Sequence, residues 1–192
     1  MTLEEFLMAV QSGNSIDLAA ECLHRDFVHA IPNEVTYKAF LEEVRADYPL
    51  SDRVAIMGSG NWKFSLNPHK NFSEYHIQSD IDIAIICRLT FEQAWEELRT
   101  YHRKNFYLIS SAKKIEIKRH GENVYSGFIS PKWIPGKSSL KLKYSLNTNK
   151  YSNEAVGYRS VNMMYFKNTD EALDYYVRGF VLAQRKGSNH EL

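Results

Sequence analysis

Val54-Ala55-Ile56-Met57-Gly58-Ser59-Gly60 and Ser79-Asp80-Ile81-Asp82-Ile83-Ala84-Ile85-Ile86 carry the strongest structural signal in this chain. Ile81 to Ile86 is dominated by β-branched residues and uninterrupted by Gly or Pro, which predicts a buried strand over Asp82–Cys87. Side chains alternate along a strand, so Asp80 and Asp82 share one face while Ile81 and Ile83 share the other. Two ionised carboxylates so close repel each other and strain their pKa values unless a cation lies between them. Mg²⁺ suits that position, being a hard ion that takes carboxylate and phosphate oxygens. Val54 to Met57 predicts a second strand, and the Gly58-Ser59 turn at its end offers backbone N–H groups and a hydroxyl to phosphate oxygens. Together the two stretches point to metal-assisted chemistry on a nucleoside triphosphate.

Working outward, a helix over Val35–Ala46 precedes the first strand, stopped by Pro49. Before it, Thr2 with Glu5 forms a capping box for a first helix. A second amphipathic helix runs from Ile16 to Val28 after the break at Gly13-Asn14-Ser15. The stretch from Gly58 to Asp80 is rich in Asn, Ser and aromatic residues and has no sustained period, so it reads as a loop with at most a short helical turn. Beyond the second strand, a helix is expected over Thr90–Arg103, with Thr90 as cap and Gln93 at the box position. Strands are expected at Ile115–Lys118 and Val124–Ile129, joined by a turn at His120–Asn123, and again at Leu140–Leu146 and Val161–Phe166. A last helix is expected over Thr169–Arg185, and residues 186–192 read as a flexible polar tail.

The fold class is therefore α/β: a mixed, mainly antiparallel sheet of four to six strands with helices packed on it. Its 192 residues suit one domain over residues 1–185. Charges nearly cancel, with 24 basic and 23 acidic residues, which argues against a protein whose main work is gripping nucleic acid. Cys22 and Cys87 are too few for a disulfide framework or a thiolate metal site, and the seven scattered histidines complete no zinc pattern. No Gly-x-Ser-x-Gly elbow marks a Ser-His-Asp hydrolase. There is no membrane-length apolar run and no signal-peptide order, so a cytoplasmic protein is expected, with no membrane partner.

Gly58-Ser59 closing one strand and Asp80-Ile81-Asp82 opening the next resemble the signature of the nucleotidyltransferase superfamily. That superfamily includes DNA polymerase β, the tRNA-terminal nucleotidyltransferases, the cyclic-oligonucleotide synthases of bacterial defence and the minimal nucleotidyltransferases of toxin–antitoxin systems. The resemblance covers residues 36–130, with helices 2–30 before it and helix 169–185 after it. It departs from the family in one respect: twenty residues intervene between Ser59 and Asp80, more than the family usually has, so the loop carries an insertion.

The resemblance implies that Asp80 and Asp82 ligate Mg²⁺, with Mn²⁺ as a substitute. It also implies that Gly58, Ser59 and Gly60 hold the terminal phosphates of a nucleoside triphosphate. A third carboxylate on a neighbouring strand is implied too, and Glu116 is the candidate, because in Ile115-Glu116-Ile117 it points away from the isoleucines. A solvent-facing strand glutamate fits the same pattern, and Glu122, in the expected turn, is a poorer choice. In the insertion, Trp62 or Phe64 could stack on a base, and Lys63 or Lys70 could reach a phosphate; an aromatic lid over the core is the other reading.

The implied activity is transfer of a nucleoside monophosphate to a hydroxyl of a protein or an RNA, in a toxin–antitoxin or phage-defence setting. Two alternatives stand beside it. One is a catalytically incomplete module on the same fold that binds or senses nucleotide; the other is a synthase of cyclic or oligomeric nucleotide messengers.

Overall fold

The computed structural model describes residues 1–188. Helices α1 (Leu3–Ser12), α2 (Ser15–His24) and α3 (Glu34–Asp47) lead into strand β1 (Arg53–Met57) and the one-turn helix α4 (Ser59–Trp62). Strand β2 (Ile81–Ile86) is followed by α5 (Arg88–Asn105), α6 (Ser111–Tyr125), the short strand β3 (Phe128–Ile129) and α7 (Ser139–Tyr151). Strand β4 (Val161–Phe166) and helix α8 (Thr169–Ser188) complete the order. Of the tail expected at 186–192, residues 186–188 continue α8 and residues 189–192 lie outside the described residues. No helix among the described residues is long and apolar enough to cross a membrane.

The four strands form one mixed sheet in the order β1-β2-β4-β3, with β2 and β4 parallel and the two outer pairings antiparallel. Ile81, Ile83 and Ile85 turn to one face, where Phe40 and Val44 of α3, Phe91 and Leu98 of α5 and Tyr151 of α7 cover them. Ala84 and Ile86 turn to the other face, against Phe6 of α1, Leu23 of α2 and Phe180 of α8. Asp82 has the parity of this second face, so the acidic pair projects toward the side of the sheet that carries α8. On the first face, Tyr48 and Tyr165 share a 2.7 Å hydrogen bond and Asn147 donates to Tyr48 Oη at 3.1 Å, which satisfies the polar atoms buried between α7 and the sheet.

Two expected strands are helices. At 115–118 the chain runs through α6, capped by Ser110, whose Oγ accepts from Lys113 N. Lys113, Glu116 and His120 pair at helical spacings of three and four, and Ile117 and His120 are the buried positions. Gly121, read as a turn, lies inside this helix with open space where a side chain would be. At 140–146 the alternation of leucines is incidental. Helix α7 buries Tyr144, Asn147 and Tyr151, spaced three and four apart, and leaves Leu142 and Leu146 exposed. Of the strand expected at Val124–Ile129, only Phe128–Ile129 forms.

Smaller shifts occur at helix ends. Helix α2 stops at His24, and Val28 instead bridges to Ile31. Helix α5 starts at Arg88, so Thr90 does not cap it but donates to the Cys87 carbonyl at 3.1 Å.

Candidate active site

The register across the sheet builds the site. Met57 of β1 pairs with Asp82 of β2, and Asp82 pairs with Asn162 of β4, so the Gly58 turn begins beside the acidic pair. Gly58 has φ +65°, and a Cβ placed on it would stand 2.8 Å from Asp82 Oδ2. Only glycine satisfies both the left-handed backbone and that close approach. The turn is anchored from beneath by the side chain of Asn61, whose Nδ2 donates to the carbonyls of Ile56 (2.8 Å) and Cys22 (2.9 Å). His29 N and Ala30 N donate to the carbonyls of Asn61 and Gly60, which fixes the far side of the turn.

Above Gly58, Ser59 and Asp82 opens a cleft of about 600 Å³. The insertion forms one wall. Tyr75 N donates to Lys63 O and Ser65 N to Ser73 O, so residues 63–75 fold back on themselves. Phe64, Leu66 and Phe72 are buried beside Phe6 of α1. This packing presents His69 and Lys70 to the cleft. Lys70 is exposed and has no ion pair among the described residues. Helix α8 forms the adjoining wall with Tyr175, Tyr176, Arg178 and Gly179. Arg178 is held in place there, donating from Nη2 to Ser126 O at 2.7 Å and from Nε to Asp174 O at 3.1 Å.

Asp82 is half-buried at the floor, and Asp80 is exposed just outside. Burial, and then the nearby negative charge of Asp80, push the Asp82 carboxyl up to about 6. The Asn162 amide, Lys132 and Lys70 pull in the other direction without cancelling that rise. The Asn162 amide donates from Nδ2 to Asp80 Oδ2 at 3.1 Å and accepts at Oδ1 from Lys132 Nζ at 2.9 Å. Only this orientation gives an amide a donor toward the carboxylate and an acceptor toward the ammonium.

The other expected site residues divide between cleft and core. Trp62 lines the cleft, but its ring is buried against Phe180 at 5.4 Å. Gly60 lies beneath the turn, where a Cβ would come within 3.3 Å of Ile56 Cγ2, so its smallness serves packing. Lys63 is turned away: it pairs with Glu74 at 2.9 Å and donates to Met1 O at 3.1 Å. Phe64 belongs to the core.

The strand expected to carry Glu116 does not exist. The residue sits on α6, where a hydrogen bond from Lys113 at 2.7 Å holds its carboxyl below the usual range, and His120 Nε2 lies 3.4 Å away. Among the described residues no three His, Cys, Asp or Glu side chains converge as a metal-binding group. The strand beside Asp82 offers the amide of Asn162 at the position paired with it.

Asn162, Tyr175 and Arg178 are neighbours that the sequence did not mark, and Lys132 reads there only as part of the unspecific positive charge around the Trp133 turn. One signal for Asn162 was present: Val161-Asn162-Met163 repeats the pattern of Ile81-Asp82-Ile83, a single polar residue second in an apolar strand. No protein-family model, no curated protein and no solved structure matches this chain.

Proposed function

We propose that this protein is a divalent-ion-dependent nucleotidyltransferase that moves a nucleoside monophosphate from a nucleoside triphosphate to a hydroxyl acceptor. The observation that supports the reading is the close approach of the Gly58 turn to Asp82, with Gly58, Ser59 and Asp82 lining one cleft and Asp80 just outside it. The donor set suits a single hard ion. Asp80 and Asp82 supply two carboxylates, their charge is only partly offset by the protein, and phosphate and water oxygens can complete an octahedral shell. When bound, Mg²⁺ supplies charge neutralisation at the phosphoryl group under attack.

The chain's own residues do the rest. The Gly58 and Ser59 backbone, with the Ser59 hydroxyl, orients the terminal phosphates. Lys70 and Arg178, both lining the cleft, balance the polyphosphate charge. The apolar and aromatic lining from Leu66, Met164, Tyr175 and Leu182 takes the base and sugar and excludes water. In the reaction the acceptor oxygen bonds to the α-phosphorus, the bond to the bridging oxygen breaks, pyrophosphate leaves, and the hydroxyl proton passes to solvent. Protein or RNA hydroxyls are the proposed acceptors, and the toxin–antitoxin or phage-defence setting rests on the family resemblance alone.

A second reading has its own support. A binding or sensing module on the same frame would account for the amide of Asn162 beside Asp82 and for Glu116 being paired elsewhere. Incubation with radiolabelled nucleoside triphosphates and Mg²⁺, comparing the native chain with Asp82→Ala, separates the two. Transfer of label to protein, RNA or nucleotide by the native chain alone supports the enzyme. Binding without pyrophosphate release supports the module.

A further inference from the structure

Lys132 reaches the acidic pair through a built connection. Strand β3 pairs antiparallel with β4, Phe128 with Phe166 and Ile129 with Tyr165, and beyond it the chain leaves the sheet in a 3-10 turn, Pro131–Trp133, from which the Lys132 side chain reaches Asn162. The turn that presents Lys132 is fixed on both sides. Pro131 and Ile134 are buried, Ile134 N donates to Pro131 O at 3.1 Å, and Trp133 stacks on His120 at 4.7 Å between ring centres. Across the strand ends the row is Met57, Asp82, Asn162, and Lys132 joins it from the turn through its side chain. It closes with the chain Lys132 Nζ to Asn162 Oδ1 and Asn162 Nδ2 to Asp80 Oδ2.

An exposed lysine–amide hydrogen bond stabilises a fold very little. Its consequence here is electrostatic, because it places a positive charge one amide away from Asp80, the carboxylate just outside the cleft beside Asp82. A monovalent charge so placed attracts the phosphates of a nucleotide and repels a divalent ion.

We propose that Lys132, relayed by Asn162, is the resident cation of the acidic pair, so that the site takes one divalent ion rather than two. This rests on the reading of Asp80 and Asp82 as the ion-binding pair. The Lys132 ammonium supplies charge that a second ion would otherwise bring to the polyphosphate, and Asn162 is the positioning residue that holds it there.

The test is Mn²⁺ binding followed by electron paramagnetic resonance, on the native chain, Lys132→Met and Asn162→Asp, with thermal unfolding to verify that each is folded. One Mn²⁺ per native chain is expected. Lys132→Met should tighten that ion about tenfold by removing a like charge. Asn162→Asp should raise the count to two by adding a carboxylate beside Asp82. Lys132→Arg, which keeps the charge, should behave as the native chain does. Two ions on the native chain, or no tightening in Lys132→Met, would overturn the inference while leaving the ion-binding pair intact. No Mn²⁺ on any of these chains would remove the pair's assignment and the inference with it.

Discussion

Asp82 concentrates the cost of building this site. Its folded carboxyl titrates near 6, against an ordinary value of 3.8, so between those pH values the folded chain holds a proton that the unfolded chain has lost. The penalty is absent below about pH 4 and complete above about pH 6, and stability falls as pH rises through that window. A displacement of this size is worth at most about 3 kcal/mol, and about 1–2 kcal/mol once partial exposure is allowed for. Asp82→Asn should therefore stabilise the metal-free protein by about 1–2 kcal/mol at pH 8 and flatten the decline, as urea unfolding at several pH values would reveal. Gly58→Ala has the opposite effect. It forces a Cβ to 2.8 Å from Asp82 Oδ2 in a left-handed backbone, so a loss of about 1–3 kcal/mol is expected along with loss of nucleotide binding. A midpoint within error of the native chain would show that the turn is not held as tightly as described.

Among the elements, two segments distant in sequence, the insertion and α8, line the cleft together. The insertion's buried Phe64, Leu66 and Phe72 make it a packed wall with Lys70 on its cleft side. Lys70→Ala should weaken nucleoside triphosphate binding about tenfold, the scale of one lost charge-assisted contact, and leave the unfolding midpoint unchanged. Destabilisation instead would assign Lys70 to the wall's structure.

The elements legible in sequence are those with a strong local signal. Thr2 and Glu5 form the capping box, with bonds of 3.2 Å and 2.7 Å, and the isoleucine run is β2. Helices α6 and α7 were hidden because short stretches of both alternate apolar and polar residues by accident. What decides them is tertiary: the burial of His120 against Trp133 and of Tyr144 and Tyr151 against the sheet. The same limit applied to the site. Asp80, Asp82, Gly58 and Ser59 were readable because they sit at strand ends close in the chain. Lys132 reaches Asn162 only through the turn after β3, and Arg178 reaches the cleft wall only through the packing of α8.

Taken as a whole molecule, the sheet has a helical layer on each face, and the site opens on the face that carries α8. Any ligand spanning the floor, the insertion and α8 ties together three parts that are otherwise joined mainly through the second core. Nucleoside triphosphate with Mg²⁺ at one hundred times its dissociation constant should stabilise the fold by about 2.7 kcal/mol. The same nucleotide without the ion should do much less. Calorimetric titration of the native chain and of Asp82→Ala with a non-hydrolysable nucleoside triphosphate, with and without Mg²⁺, decides whether the acidic pair holds an ion against a polyphosphate. The native chain should bind one nucleotide in an ion-dependent manner, and Asp82→Ala should lose that dependence together with most of the affinity. Equal binding by both chains, or none by either, would contradict it.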